Sequence, residues 1–208
     1  MKTFHSTLLS KLVFLSIFLI AAFAFTGCGK SVKRVASDST IDLSGNWNDT
    51  DSRLVAEEML NDCLTKPWYQ NVVNAKNGQV PVVVIGRVRN LSTEHINTST
   101  FINDIQRVLI NSGKVDFVAN AEERQQLRGE IDSQTSNATD ETAKERGQEV
   151  GADLMLTGTI NSIVDQSGGE TVKFYQVDLE LTDLQSHRKL WIGNKKIKKH
   201  IEKSALKL

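Results

Sequence analysis

The sequence predicts an α+β (α/β) fold: a single domain whose small mixed sheet ends in a C-terminal antiparallel three-strand meander and is packed by about four helices. Three patterns carry this expectation. Val82-Val83-Val84-Ile85 is an unbroken β-branched run suited to a sheet interior, Phe101, Ile102, Ile105, Val108 and Leu109 recur at helical spacing, and residues 171–183 alternate apolar with polar after the turn signal Ser167-Gly168-Gly169.

Ahead of the domain, Leu12–Phe25 is apolar apart from Ser16, follows Lys2 and Lys11, and exits through Thr26-Gly27-Cys28. This is the layout of a secretory signal, too short to cross a bilayer as a helix of about 20 residues. A cysteine placed directly after the small-residue exit resembles the lipobox of bacterial lipoproteins, where the thiol is lipidated and the chain cut just before it. Phe25 stands where a lipobox usually has Leu. The expected division is 1–27 signal peptide, 28–47 lipidated Cys28 and flexible tether, and 48–208 globular domain. Acyl chains contribute about 0.8 kcal/mol per buried methylene, so two or three of them hold a soluble domain to a membrane. Gly29, rather than Asp, after Cys28 goes with outer-membrane sorting in other lipoproteins, facing the periplasm. Residues 29–47 show no hydrophobic period, and some 18 tether residues reach at most about 65 Å fully stretched.

The elements follow in order. From Asn48 the pairs Val55/Ala56, Met59/Leu60 and Cys63/Leu64 repeat every four residues, predicting a helix that ends before Pro67, with Trp68 and Tyr69 in a loop and Trp68 buried. Pro81 opens a strand through Arg89, and a long polar loop, 90–98, follows. Thr98 or Ser99 caps the next helix, which Gly113 ends. Val115–Val118 is a short strand. Asn120 and Glu123 have capping-box spacing for a polar surface helix, 134–139 reads as a loop, and 140–150 as a further helix. Leu154, Leu156 and Ile160 share a strand face that Gly158 interrupts, marking a bulge or a close backbone approach. Tyr175, Val177, Leu179 and Leu181 share one face of the following strand. A turn near Ser186-His187 leads to Leu190-Trp191-Ile192 and a basic last strand.

Composition narrows the function. The chain has 25 basic and 25 acidic residues, and removal of Lys2 and Lys11 with the leader leaves it two charges negative, which implies no nucleic-acid partner. Phe4, Phe14, Phe18, Phe23 and Phe25 leave with the leader too, so the core is small and aliphatic. With Cys28 lipidated, Cys63 has no intramolecular partner, and its place on a helical apolar stripe makes it a buried hydrophobe.

Catalytic patterns are missing from the sequence. The acidic pairs Glu57/Glu58, Glu122/Glu123 and Glu141/Glu145 fall on polar helix faces rather than across a cleft, there is no G-x-S-x-G turn, and His95, His187 and His200 have no metal-ligand spacing. No cofactor, metal or small-molecule substrate is expected.

Two groups are candidate partner contacts. Lys195, Lys196, Lys198 and Lys199 either steer an acidic partner or headgroups, or guard an edge strand against aggregation. Arg89, Asn90, Glu94 and His95 flank the loop after the first strand and either dock a partner or shape the loop by local hydrogen bonds.

Four stretches together resemble the LpoB family of lipoproteins that activate penicillin-binding proteins: Asp42–Asp51, Val83–Asn90 leading into Glu94-His95-Ile96, Gly151–Ile160, and Trp191 followed by Lys195–Lys199. The resemblance spans about residues 42–201. It implies a fold similar to the N-terminal domain of TolB and a non-enzymatic protein that docks on a bifunctional peptidoglycan synthase, a class A penicillin-binding protein, and stimulates it. The short tether departs from the long Pro-rich one of the best-studied relatives. The alternative reading is a structural or secretion-associated lipoprotein related to the periplasmic domain of CsgG, which would need additional lipid-facing hairpins of about ten residues per strand.

Overall fold

A computed structural model describes residues 31–139, 141–142, 147 and 149–202. The expected signal peptide, 1–27, and Cys28 lie outside this range. The chain divides into two units, 1–39 and 40–208. In the first, Ser39 closes a turn by donating from its backbone N–H to the Ala36 carbonyl at 3.1 Å.

The second unit opens with helix α1, Asp49–Thr65. Asn48 caps it by accepting from the Asp51 N–H at 3.1 Å, while the Asp51 carboxylate accepts from the Asn48 N–H at 3.0 Å, a reciprocal capping box. Its stripe Val55, Ala56, Met59, Leu60, Cys63 and Leu64 is buried as the spacing requires. Trp68 and Tyr69, expected in a loop, instead begin a second helix, α2, Trp68–Ala75. Pro67 sits at its start with φ −59° and is thus already helical, and the buried Trp68 indole donates at 2.7 Å to the Cys63 carbonyl, which also accepts the Lys66 N–H at 3.2 Å, so the two helices are coupled end to end.

Strand β1, Val82–Asn90, is buried over Val82–Ile85. Helix α3, Thr98–Asn111, is capped by Asn97, whose side chain accepts from Ser99 N–H at 3.0 Å, in place of the expected Thr98 or Ser99; it stops just before Gly113. Strand β2 is short, Asp116–Phe117. Helix α4, Ala121–Asn137, carries the Asn120/Glu123 capping box, buries no residue, and extends through 134–137, where a loop is expected. Thr135, Ser136 and Asn137 turn their side chains onto carbonyls four residues back, so these loop-favouring residues are satisfied without leaving the helix. Of the helix expected over 140–150, residues 140, 143–146 and 148 lie outside the described range, Glu141 and Thr142 form a turn, and Glu149 and Val150 are not helical.

Strands β3 (Leu154–Ser167), β4 (Glu170–Asp183) and β5 (Lys189–Glu202) form the expected antiparallel meander. Gly168 and Gly169 both take positive φ, 59° and 92°, as a two-residue hairpin turn with right-handed strand twist demands. The sheet order is β2-β1-β3-β4-β5, with β1 parallel to both β2 and β3. This mixed sheet with α1 and α3 packed on it is the single α+β domain that the pattern implies. At Gly158 a Cβ would lie 2.5 Å from Leu179 Cδ2 and 2.6 Å from the Asp178 carbonyl, so the β3–β4 backbones approach as closely as the interrupted apolar face suggests.

Candidate functional site

The candidate contact residues are sorted by the register of the meander. Alternate residues of a strand face opposite sides, and here Tyr175, Val177, Leu179 and Leu181 face the helices while Phe174, Gln176, Asp178 and Glu180 face away. On β5 the same alternation divides the lysine group. Lys195, opposite Val177, pairs with Glu58 of α1, and Lys199, opposite Lys173, is drawn into the helix side.

Lys199 and Lys173 anchor a network there. Lys199, with its side chain 13% exposed, donates to Asp51 Oδ2 at 2.6 Å, Asp42 Oδ1 at 3.1 Å and the Asn46 carbonyl at 3.1 Å. Lys173 binds Glu94 Oε1 at 2.6 Å and also the Asn46 side chain. Glu94 accepts in addition from the Tyr175 hydroxyl at 2.8 Å and the Trp47 N–H at 3.0 Å. Burial raises the Glu94 carboxyl, but the Lys173 ammonium, the Trp47 N–H and the Tyr175 hydroxyl outweigh it, and the group stays below the usual glutamate range. Burial, followed by the bond to Glu94, pushes the Tyr175 phenol above its ordinary value. Lys199 is opposed by burial yet raised by Asp51 and Asp42. Charges this sequestered need such partners.

This network binds the end of the expected tether. Gly45 is buried beside Ile201, the Tyr175 hydroxyl lies 2.9 Å from its carbonyl, and the Trp47 ring packs edge-on against Tyr175 and Phe101 with its indole donating to Ser52 Oγ at 2.7 Å. Residues 45–47 are therefore held by the packed unit, contrary to their reading as loose tether, while Leu43 just before them is 94% exposed. The network roles of Lys173, Tyr175, Asp51 and Trp47 leave no local signal in the sequence, because the partners lie up to 148 residues away.

The opposite side of the meander differs. No described helix packs on it. Lys196, opposite Gln176, and Lys198, opposite Phe174, are exposed and have no ion pair among the described residues. Arg89 pairs in register with Thr159, and Thr159 with Asp178, so Arg89 shares this face. It too is exposed without an ion pair among the described residues. Of the remaining loop residues, Asn90 donates to the Glu94 carbonyl at 2.7 Å and accepts from Ser92, which folds the loop, while His95 is exposed. Three cations from two stretches about a hundred residues apart thus share one open surface, and Asn90 and Glu94 shape the scaffold.

Chemical machinery is sparse. Among the described residues no group of three or more His, Cys, Asp or Glu side chains is placed to hold a metal. Burial pushes the Cys63 thiol up to about 12, so it is not poised for reaction. His200 lies 3.4 Å from Glu170 at the exposed tip of the meander.

A single domain with one sheet face sealed by helices and the other exposed across the outer part of the meander is a scaffold that presents surface. The sequence profile of the peptidoglycan-synthase activator LpoB matches residues 51–197, and the chain belongs to the LpoB family. Among solved structures it is similar to the LpoB C-terminal domain from Salmonella enterica at 15% identity, over 74% of this chain and 99% of that one, with a TM-score of 0.41. It is similar to E. coli LpoB, solved by NMR, at 14% identity over 85% and 87% of the two chains, with a TM-score of 0.41. Lipoprotein GNA1162 from Neisseria meningitidis matches at 14% identity over 61% and 88%, with a TM-score of 0.37. No curated protein matches the chain.

Proposed function

We propose that this chain is a non-enzymatic lipoprotein of the periplasm, anchored to the outer membrane through Cys28, that binds a bifunctional peptidoglycan synthase of the class A penicillin-binding type and raises its activity. The observation that carries the reading is membership of the LpoB family over residues 51–197. The lipobox-like Thr26-Gly27-Cys28 and the open sheet face support it.

A protein that only binds accelerates a synthase by holding the more active conformation more tightly than the less active one. A difference of about 1–3 kcal/mol corresponds to a shift of about 5–150-fold. Reciprocity follows: a substrate analogue that favours the active synthase tightens its grip on this protein by the same factor. Because the packed unit begins at Thr40, the stretch from Cys28 to Ser39 spans at most about 45 Å at about 3.6 Å per residue. Thr40 therefore stays within that distance of the anchoring membrane, and the synthase must meet the domain within that reach plus the domain's own length.

The test is glycan polymerisation and crosslinking by each class A synthase of the same organism, with and without the mature lipoprotein. A raised rate together with a complex is expected. No rate change and no complex with any of them rejects the proposal. Mass spectrometry of the mature N-terminus checks the anchor, and an unacylated Cys28 rejects that part.

A further inference from the structure

The side of the meander that carries no helix has a definite chemical pattern. Its rungs run across β3, β4 and β5 as Ile163–Phe174–Lys198, Asn161–Gln176–Lys196 and Thr159–Asp178–Asn194, with Arg89 continuing the last onto β1. Ile163 is 65% exposed, a large apolar side chain left in water beside a half-buried Phe174. Of the acids of mid-span, Glu180 pairs with Lys189 at 2.8 Å, while Asp178 accepts twice from the neutral Gln176 amide at 2.9 and 3.0 Å and keeps its charge, one carboxylate against three cations. The cations Lys196, Lys198 and Arg89 have no such partners among the described residues. Toward the tip the sign reverses, with Asp165 exposed and Glu170 and Glu202 near His200. A chain that is slightly acidic as a whole thus presents an apolar contact with surplus positive charge on one side of it.

We infer that this face, centred on Ile163, Phe174, Lys196 and Lys198, is the docking surface for the synthase, and that it takes a protein surface bearing acidic side chains beside an apolar residue. This rests on the activator reading above and names the part of the molecule that performs it. Charge complementarity selects the occupant. Arg89 stands about 16 Å from Lys196, three strand spacings across the sheet and two residues along it, so the cations are spread to match separate carboxylates. Anionic headgroups are recognised by clusters of four to eight basic residues, more densely set than these three. The second face offers no such surface, since Lys173 and Lys199 are neutralised within the fold.

The experiment uses the mature lipidated chain in detergent with the synthase it stimulates, and compares it with K196E/K198E, with Ile163→Asp, and with the milder K196Q/K198Q, each checked for an unchanged unfolding midpoint. K196E/K198E is expected to weaken the complex at least about tenfold at low salt and to flatten its salt dependence, because unpaired rim charges steer association. Ile163→Asp is expected to raise the dissociation rate, and K195E, on the helix side, to leave binding within about twofold. If the wild-type chain stimulates the synthase and both K196E/K198E and Ile163→Asp do so equally, the docking face is wrong while the activator reading stands. If the wild-type chain neither binds nor stimulates any class A synthase, both fall. Loss of binding to phosphatidylglycerol vesicles by unlipidated K196E/K198E, with synthase binding intact, overturns the assignment in favour of a membrane surface.

Discussion

Lys198 and Lys199 are neighbours in sequence and opposites in environment. One is exposed on the open face of the meander without an ion pair among the described residues; the other is 13% exposed on the helix side, held by Asp51, Asp42 and the Asn46 carbonyl. A strand sends successive side chains to opposite faces, so a run of lysines serves two purposes at once. Charge on the sealed face holds the fold together, and charge on the open face is left for other molecules.

The sharpest way to break this contrast is Lys199→Met. It leaves Asp51 buried with its cation gone, and about 3–5 kcal/mol of stability should be lost, read from the denaturant midpoint. Glu94→Gln strips Lys173 of its counter-charge and weakens the bonds to Tyr175 and Trp47, with a loss of about 2–3 kcal/mol expected at neutral pH. It also gives the comparison a pH signature. The folded Glu94 carboxyl is depressed, so its contribution is present above the unfolded value of about 4.3 and disappears as pH falls toward the folded one. The wild type should therefore lose stability below about pH 4.3, and Glu94→Gln should lose less over the same interval. At the other end Lys199 and Tyr175 are raised, so stability present below about pH 10 declines as pH rises further.

Gly158→Ala tests the joint between β3 and β4, where the added carbon meets a backbone carbonyl that cannot move aside. A cost of about 1–3 kcal/mol by thermal unfolding is expected. Smallest of all should be Lys198→Met, within about 0.5 kcal/mol by the same measurement, since no described partner is lost. A change as large as that of Lys199→Met would erase the distinction between the faces.

The open contact and the buried network were unequally legible in the sequence. Helix α1, β1, helix α3, the capping box of α4 and the meander could be read directly, because each rests on periodicity or on a turn within a few residues. The misreadings have local causes. Trp68 and Tyr69 follow a proline that looks like a terminator but starts a helix, and 134–137 are loop-favouring residues that bond back to their own helix. Residues 45–47 lie in a stretch without any hydrophobic period, yet they are held because Trp47 and Gly45 meet Tyr175, Phe101 and Ile201 from across the domain.

Sequence by itself determined the signal-like leader with its cysteine, the element order, and the core faces of the strands, since these depend on neighbours along the chain. It also marked the lysine run and the loop after β1. Only the tertiary structure decided which of those residues are spent within the fold and which are left outside, and that Arg89 joins Lys196 and Lys198 on one surface. The reason is that strand register and the side on which helices pack are set by contacts between distant segments, and no window of sequence contains them.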